Sequence, residues 1–331
     1  MRKNRRRLVK RKRIVIVVQL LLMVLVGISI FNIVAELFPV SDTRPGTQID
    51  SKTIVKDGVA YYPRQDITVF MLIGIDKKGP KVDSGSYNND GQADLISLIV
   101  FNKTHKSYKI LLLNRDTMTD IPILGVGGRP AGTINAQLAL AHNQGSGLHD
   151  SCENMKNALS KLLGNIPIDY YISMNLDAIS ILNDAVGGVE VDVKDDFSLI
   201  DPTIKKGKML LNGEQALSFV QTRKDVGDQL NLSRMERHKA YMNGFFEAFI
   251  EKFSSSKSEA FKTYESIEDY IVTDCSESSL YALFDRYSMY KLKEVVSPVG
   301  TNTKGEKYME FYPDEDALLD LTLKLFYSEK R

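Results

Sequence analysis

The longest apolar stretch in this chain is IVIVVQLLLMVLVGISIFNIVA, residues 14–35, which carries no charge. As a helix it is long enough to cross roughly 30 Å of hydrocarbon. Segment 14–37 is therefore predicted to be a transmembrane helix. A secretory h-region would be shorter, and FPV at 38–40 makes a poor cleavage site. Later apolar runs are briefer. ITVFMLIGI (67–75), DLISLIVF (94–101) and YKILLL (108–113) are almost continuous, the pattern of strands buried on both faces. Residues 102–106, between the last two, suit a hairpin connection.

Other segments repeat apolar positions every three or four residues, the helical period. NAQLALAHN (135–143), CENMKNALSKLLG (152–164), LDAISILNDAVGG (176–188), a long segment over 233–253, SESSLYALFDRYSM (276–289) and DEDALLDLTLKLFY (314–327) are predicted helices. NGEQALSFV (212–220) adds another, with Asn212 as N-cap and Gln215 three positions on. DYYISMN (169–175), VEVDV (189–193) and EVVSPV (294–299) are predicted strands. Residues 38–65 are rich in charges and turn formers and are predicted to be a linker, with a short hairpin at Asp57-Gly58. Strands and helices in this order predict an α/β domain over 66–331, a central mixed β-sheet with helices on both faces.

Charge changes the picture at one end. Nine of the 43 Lys and Arg residues fall within residues 1–13, and none of the 42 Asp and Glu residues does. So dense a basic arm stays on the cytoplasmic side of a membrane. The expected topology is single-pass, with the arm in the cytoplasm and everything after about residue 38 outside. The remaining chain is net acidic, which argues against nucleic-acid binding. Cys152 and Cys275 have no metal spacing, and pairing between them is left open. Four scattered histidines give no zinc pattern.

Candidate chemistry lies at strand ends, where open α/β sheets usually bind ligands. Asp76 follows the 67–75 run, Asp94 opens the next, and Arg115 and Asp116 follow ILLL. A charge at a strand end is often only where the chain meets water. Combined with TRKDVGDQLNLSRMERH (222–238), however, these residues make one site. Arg234 and Arg237 are three apart and share a helix face, and Arg223 lies just ahead. Guanidinium groups bind phosphate oxygens in pairs and keep their charge. Two carboxylates from separate strands suit a hard cation that takes its other ligands from water and phosphate. There is no Walker loop and no GxSxG elbow.

Taken in order, VFMLIGIDKK, QADLISLIVFN, KILLLNRDTMTDIP, TINAQLALAH, DYYISMNLDAISILNDAVGGVEVDV and LNGEQALSFVQTRKDVGD with SRMERH resemble the LytR-CpsA-Psr family, over roughly 66–327. The resemblance implies a membrane-anchored extracytoplasmic phosphotransferase. It would move an anionic glycopolymer such as teichoic acid or capsule from a polyprenyl-pyrophosphate carrier to a peptidoglycan hydroxyl, leaving a phosphodiester. It also implies that Asp76 and Asp94 bind Mg2+ (or Mn2+). Arg115, Arg223, Arg234 and Arg237 would clamp the pyrophosphate, and Asp116 would orient an arginine or activate the acceptor. A lipid tail calls for an apolar cleft, which Phe245, Phe246 and Phe249 could line, although aromatics at helical spacing are more often plain core. The chain departs from the family pattern at Lys78, Gln92, Gln221 and His238. Those departures keep a second reading open, an envelope protein that binds lipid-linked glycopolymer without transferring it.

Overall fold

A computed structural model describes residues 53–87, 91–227, 231–253 and 256–329. The basic arm, the expected membrane helix and the first part of the linker lie outside them. Among the described residues, no helix is long and apolar enough to cross a membrane.

The three apolar runs become adjacent strands in the middle of a six-stranded mixed sheet. Its strands are β1 (Ile67–Ile75), β2 (Ala93–Asn102), β3 (Ser107–Leu113), β4 (Tyr170–Asn175), β5 (Ile271–Thr273) and β6 (Lys291–Val296). They lie in the order β5-β4-β1-β2-β3-β6. β1–β2, β2–β3 and β4–β5 are antiparallel, whereas β1–β4 and β3–β6 are parallel. The longer helices among the described residues are α1 (His149–Leu162), α2 (Asp177–Ala185), α3 (Gly213–Gln221), α4 (Asn231–Phe253), α5 (Lys257–Ile267), α6 (Glu277–Tyr287) and α7 (Glu315–Phe326).

Strand periodicity decides what each face buries. Val69, Met71, Ile73 and Ile75 of β1 pack with Leu98 of β2, Met155 and Leu159 of α1 and Phe326 of α7. Phe70 and Leu72 turn to the other face, toward Met235 and Met242 of α4 and Tyr287 of α6. Each fully buried aliphatic side chain contributes about 1.5–3 kcal/mol, so helices cover both faces, as the apolar runs predicted.

Local signals held at several termini. Asn212 and Gln215 form a reciprocal capping box on α3. Asp314 accepts the Ala317 N–H at the start of α7. Asp57 and Gly58, both at positive φ, close the hairpin between Ile54–Lys56 and Val59–Pro63. The helix predicted over 135–143 is a correction. Pro130–Gln137 is a strand paired with Met118–Leu124, and only Leu140–Asn143 is helical. This ribbon strand is largely exposed, so no alternation of apolar residues betrayed it. Cys152 and Cys275 are both buried and are not joined by a disulfide.

Candidate active site

Strand register brings the predicted strand-end residues to one edge of the sheet. Ile75 pairs with Ala93, and Ile96 with Leu113. Asp76, Asp94 and the Asn114–Asp116 turn are therefore neighbours, although up to forty positions apart in sequence. Asp76 and Gln92 tie the first two strand ends together: the Asp76 N–H donates to the Gln92 carbonyl at 3.1 Å, and the Gln92 N–H to Asp76 Oδ1 at 2.7 Å.

The Asp94 carboxylate is shared by two guanidiniums. Arg115 Nη1 donates to Oδ1, and Arg234 Nη1 to Oδ2 at 2.6 Å. Arg115 Nη2 also donates to the side chain of Gln92, one of the departures from the family pattern. Arg234 continues to Asn231 Oδ1 at 2.7 Å, and Asn231 Nδ2 to Asn114 Oδ1 at 2.7 Å. Asn114 Oδ1 in turn accepts the Asp116 N–H at 2.9 Å. Asp116 closes the circuit, 3.6 Å from Arg115 Nε, with Oδ1 accepting from Gln137 Nε2 at 3.1 Å. Sequence reasoning missed Asn231 and Gln137. Asn231 sits three positions before Arg234 on one helix, a spacing that carried the signal.

Electrostatics at this circuit are strained toward anion binding. Burial, followed by repulsion from Arg234, lowers the Arg115 pKa. Burial and then Arg223 lower Arg234 to about 10, so it stays charged near neutrality. Burial raises the Asp116 carboxyl despite the nearby guanidiniums. Asp116 is 4% exposed, which suits orienting Arg115 better than meeting an acceptor. Three arginines that repel one another gain when an anion enters among them.

Arg223 is exposed, on the loop that follows α3. With Gln221, Thr222, Lys224 and Asp225 it lines a recess of about 420 Å3 whose other walls are Asp76, Asp94, Leu176 and Ile200. An apolar slot adjoins this recess. It is lined by Leu72, Leu95, Met174, Ile179, Leu182, Tyr241 and Met242 together with Phe245 and Phe246. Asp94, Leu176 and Gln221 line both spaces, so the slot opens beside Arg223 and the carboxylate that Arg115 and Arg234 hold. Phe249 does not line the slot. It packs on Phe253 and Phe284, with ring centroids 5.0 and 6.4 Å away.

Arg237 also departs from expectation. It is buried and turned away from Arg234, donating to the Phe219 carbonyl at 2.9 Å, to Asp195 Oδ2 at 2.6 Å and to the Thr222 carbonyl. Three residues along a helix bring two Cβ atoms together, but long side chains can still diverge. The neighbouring His238, another departure, is buried and sits 2.9 Å from the Val220 carbonyl through Nε2. Burial lowers its pKa to about 3, so it is neutral and donates that bond.

No group of three or more His, Cys, Asp or Glu side chains placed to hold a metal ion occurs among the described residues. Two carboxylates, Asp76 and Asp94, do face the recess. They fit a magnesium-like cation that draws its remaining ligands from water and phosphate. Asp76 is the less encumbered, since both Asp94 oxygens already serve guanidiniums.

The sequence model of the LytR_cpsA_psr family matches residues 41–325. The chain is 26% identical over 293 residues to the polyisoprenyl-teichoic acid–peptidoglycan teichoic acid transferase TagV of Bacillus subtilis (strain 168), covering 86% of this chain and 69% of that one. The corresponding TagU of Bacillus cereus is 27% identical over 260 residues, 77% of this chain and 76% of the relative. Among solved structures, TagT bound to LIIa-WTA superposes with a TM-score of 0.62 at 22% identity, over 85% of this chain and 95% of that one. The B. subtilis TagV crystal structure gives 0.61 at 23%, over 79% and 96%. These structural likenesses speak to the fold. With the family pattern spanning nearly all of the described residues, the chain belongs to the LytR_cpsA_psr family.

Proposed function

We propose that the protein transfers an anionic glycopolymer from a polyprenyl-pyrophosphate carrier to a peptidoglycan hydroxyl. The observation that carries this is the junction of two spaces, a polar recess walled by Arg223, Lys224, Asp76 and Asp94 and an apolar slot, which share Asp94, Leu176 and Gln221; Arg115 and Arg234 bind the Asp94 carboxylate in that shared wall. A pyrophosphate esterified to a long hydrocarbon needs both: cations for its head and a dry wall for its tail, at about 0.8 kcal/mol per buried methylene. The names of its relatives as polyisoprenyl-teichoic acid–peptidoglycan transferases support the same substrate class.

In this reading Arg115, Arg223 and Arg234 hold the diphosphate oxygens. The acceptor oxygen bonds to the sugar-linked phosphorus, and its proton ends on the departing polyprenyl phosphate. The P–O bond to the carrier phosphate breaks, and polyprenyl phosphate leaves with the electron pair. Charge builds on the oxygens that the arginines face, so the site stabilises the transition state mainly by position and electrostatics. Asp116 holds Arg115 in place. Asp76, aided by Asp94, would hold Mg2+ or Mn2+, which would neutralise part of the phosphoryl charge. The apolar segment 14–37 would anchor the chain in the cell membrane, with the domain on the extracytoplasmic side.

The test uses the full chain in detergent with an isoprenyl-pyrophosphate-linked glycopolymer, peptidoglycan and Mg2+. Polymer attachment should release isoprenyl phosphate in equal amount, and Arg223→Ala should cut the rate roughly 100-fold. Tight binding of the carrier with no release would contradict transfer and leave only carriage of the lipid-linked polymer.

A further inference from the structure

We propose that Asp195 and Arg237 are positioning residues that set the pose of Arg223; this rests on the reading that Arg223 holds the pyrophosphate. The C-terminus of α3 leaves carbonyls without helical partners. Two consecutive side chains of α4 supply them. Arg237 takes Phe219 and Thr222, and His238 takes Val220. A cation at a helix C-terminus also answers the negative end of the helix dipole. The Thr222 carbonyl immediately precedes Arg223, so this cap fixes the direction in which the loop departs.

Asp195 completes the device. Its Oδ2 accepts from Arg237 Nη1 at 2.6 Å, and the side chains of the pair are 20% and 5% exposed. The guanidinium also lies 5.6 Å over the Phe197 ring. Its three donor directions are thereby spent on three fixed acceptors, which holds the planar fork in one orientation. The loop returns to the same carboxylate. Asp225 and Gly227 both adopt positive φ, and a Cβ on Gly227 would lie 2.9 Å from Ser233 and 3.2 Å from Asp195 Oδ1. Val226 is buried beneath it. Arg223 is thus an exposed cation on a loop capped at its start and passing close to Asp195 at Gly227, and neither Asp195 nor Arg237 lines the recess.

The experiment follows amide exchange and binding in the full chain in detergent. Wild type, Asp195→Ala, Asp195→Asn and Arg237→Lys are each titrated with geranylgeranyl pyrophosphate, and Asp195→Ala is repeated in an Arg223→Ala background. Asp195→Ala should speed exchange at 222–227 while β1–β3 stay protected, and should weaken binding about tenfold. Asp195→Asn keeps an oxygen acceptor and should stay near wild type. Arg237→Lys keeps the charge but cannot reach all three acceptors, so it should loosen the loop as Asp195→Ala does. Combined with Arg223→Ala, the Asp195→Ala change should weaken binding little further, a non-additivity that a general loss of stability would not give. Unchanged loop exchange in both Asp195→Ala and Arg237→Lys, or penalties that multiply in the double variant, would overturn the proposal. Wild-type binding by Arg223→Ala would instead overturn the anion-site reading, and loop exchange alone would then decide the positioning.

Discussion

Asp94 Oδ2 meets Nη1 of Arg234 at 2.6 Å, while the other oxygen of the same carboxylate is taken by Arg115. One anion thus holds two largely buried cations side by side. Without it, two guanidiniums would face each other in a poorly solvated site, where an unpaired charge is costly. The arrangement pre-pays for binding. The arginines are gathered, oriented and only partly neutralised before any substrate arrives.

Removing that anion tests the idea on stability alone. Asp94→Ala should lower unfolding stability by about 3 kcal/mol. Inorganic pyrophosphate, replacing the lost negative charge, should restore more to the variant than it adds to wild type; ligand at 100 times its Kd contributes about 2.7 kcal/mol. Urea unfolding with and without pyrophosphate measures both.

Asp116 gives a pH signature. Burial raises its pKa above the ordinary 3.8. A carboxyl raised in the folded state costs stability once ionised, so the cost is absent below 3.8, grows as pH rises from there through the folded pKa, and is constant above it. Asp116→Asn keeps an oxygen acceptor for Gln137 and avoids the ionisation. The variant should melt higher than wild type near pH 7, and its advantage should vanish by about pH 3.5. Thermal unfolding across that range provides the comparison.

Much of this was legible in the sequence. Near-continuous apolar runs mark β1 to β3, and the charges at their neighbouring ends are Asp76, Asp94 and Arg115. Register then gathers these at one sheet edge. Asn212 and Gln215 announce α3. The ribbon Pro130–Gln137 was not legible, because its first six residues are exposed and give no apolar alternation, while its partner strand Met118–Leu124 reaches the core through Ile121. Arg237 was misplaced for a different reason. Helical spacing locates a Cβ, but Asp195, some forty residues upstream, decides where the guanidinium goes. The same limit applies to Phe249, which touches Phe245 but packs on Phe253 and Phe284 rather than lining the slot.

The slot can be separated from the recess by substitution. Ile179 lines only the slot. Ile179→Trp should weaken geranylgeranyl pyrophosphate binding about tenfold by filling that space. Affinity for inorganic pyrophosphate should not change. Phe249→Ala should do the reverse, costing about 2 kcal/mol of stability with lipid affinity intact. Calorimetric titration and denaturant unfolding report the two effects.

The claim on which the rest stands is that Arg115, Arg223 and Arg234 surround a single diphosphate. A crystal structure of the protein with geranylgeranyl pyrophosphate and Mg2+ locates both phosphorus atoms directly. The account predicts them in the recess walled by Arg223, Asp76 and Asp94, held also by Arg115 and Arg234, with the hydrocarbon running past Phe245 and Phe246. Density for the pyrophosphate elsewhere on the domain, with that recess filled only by solvent, would contradict it.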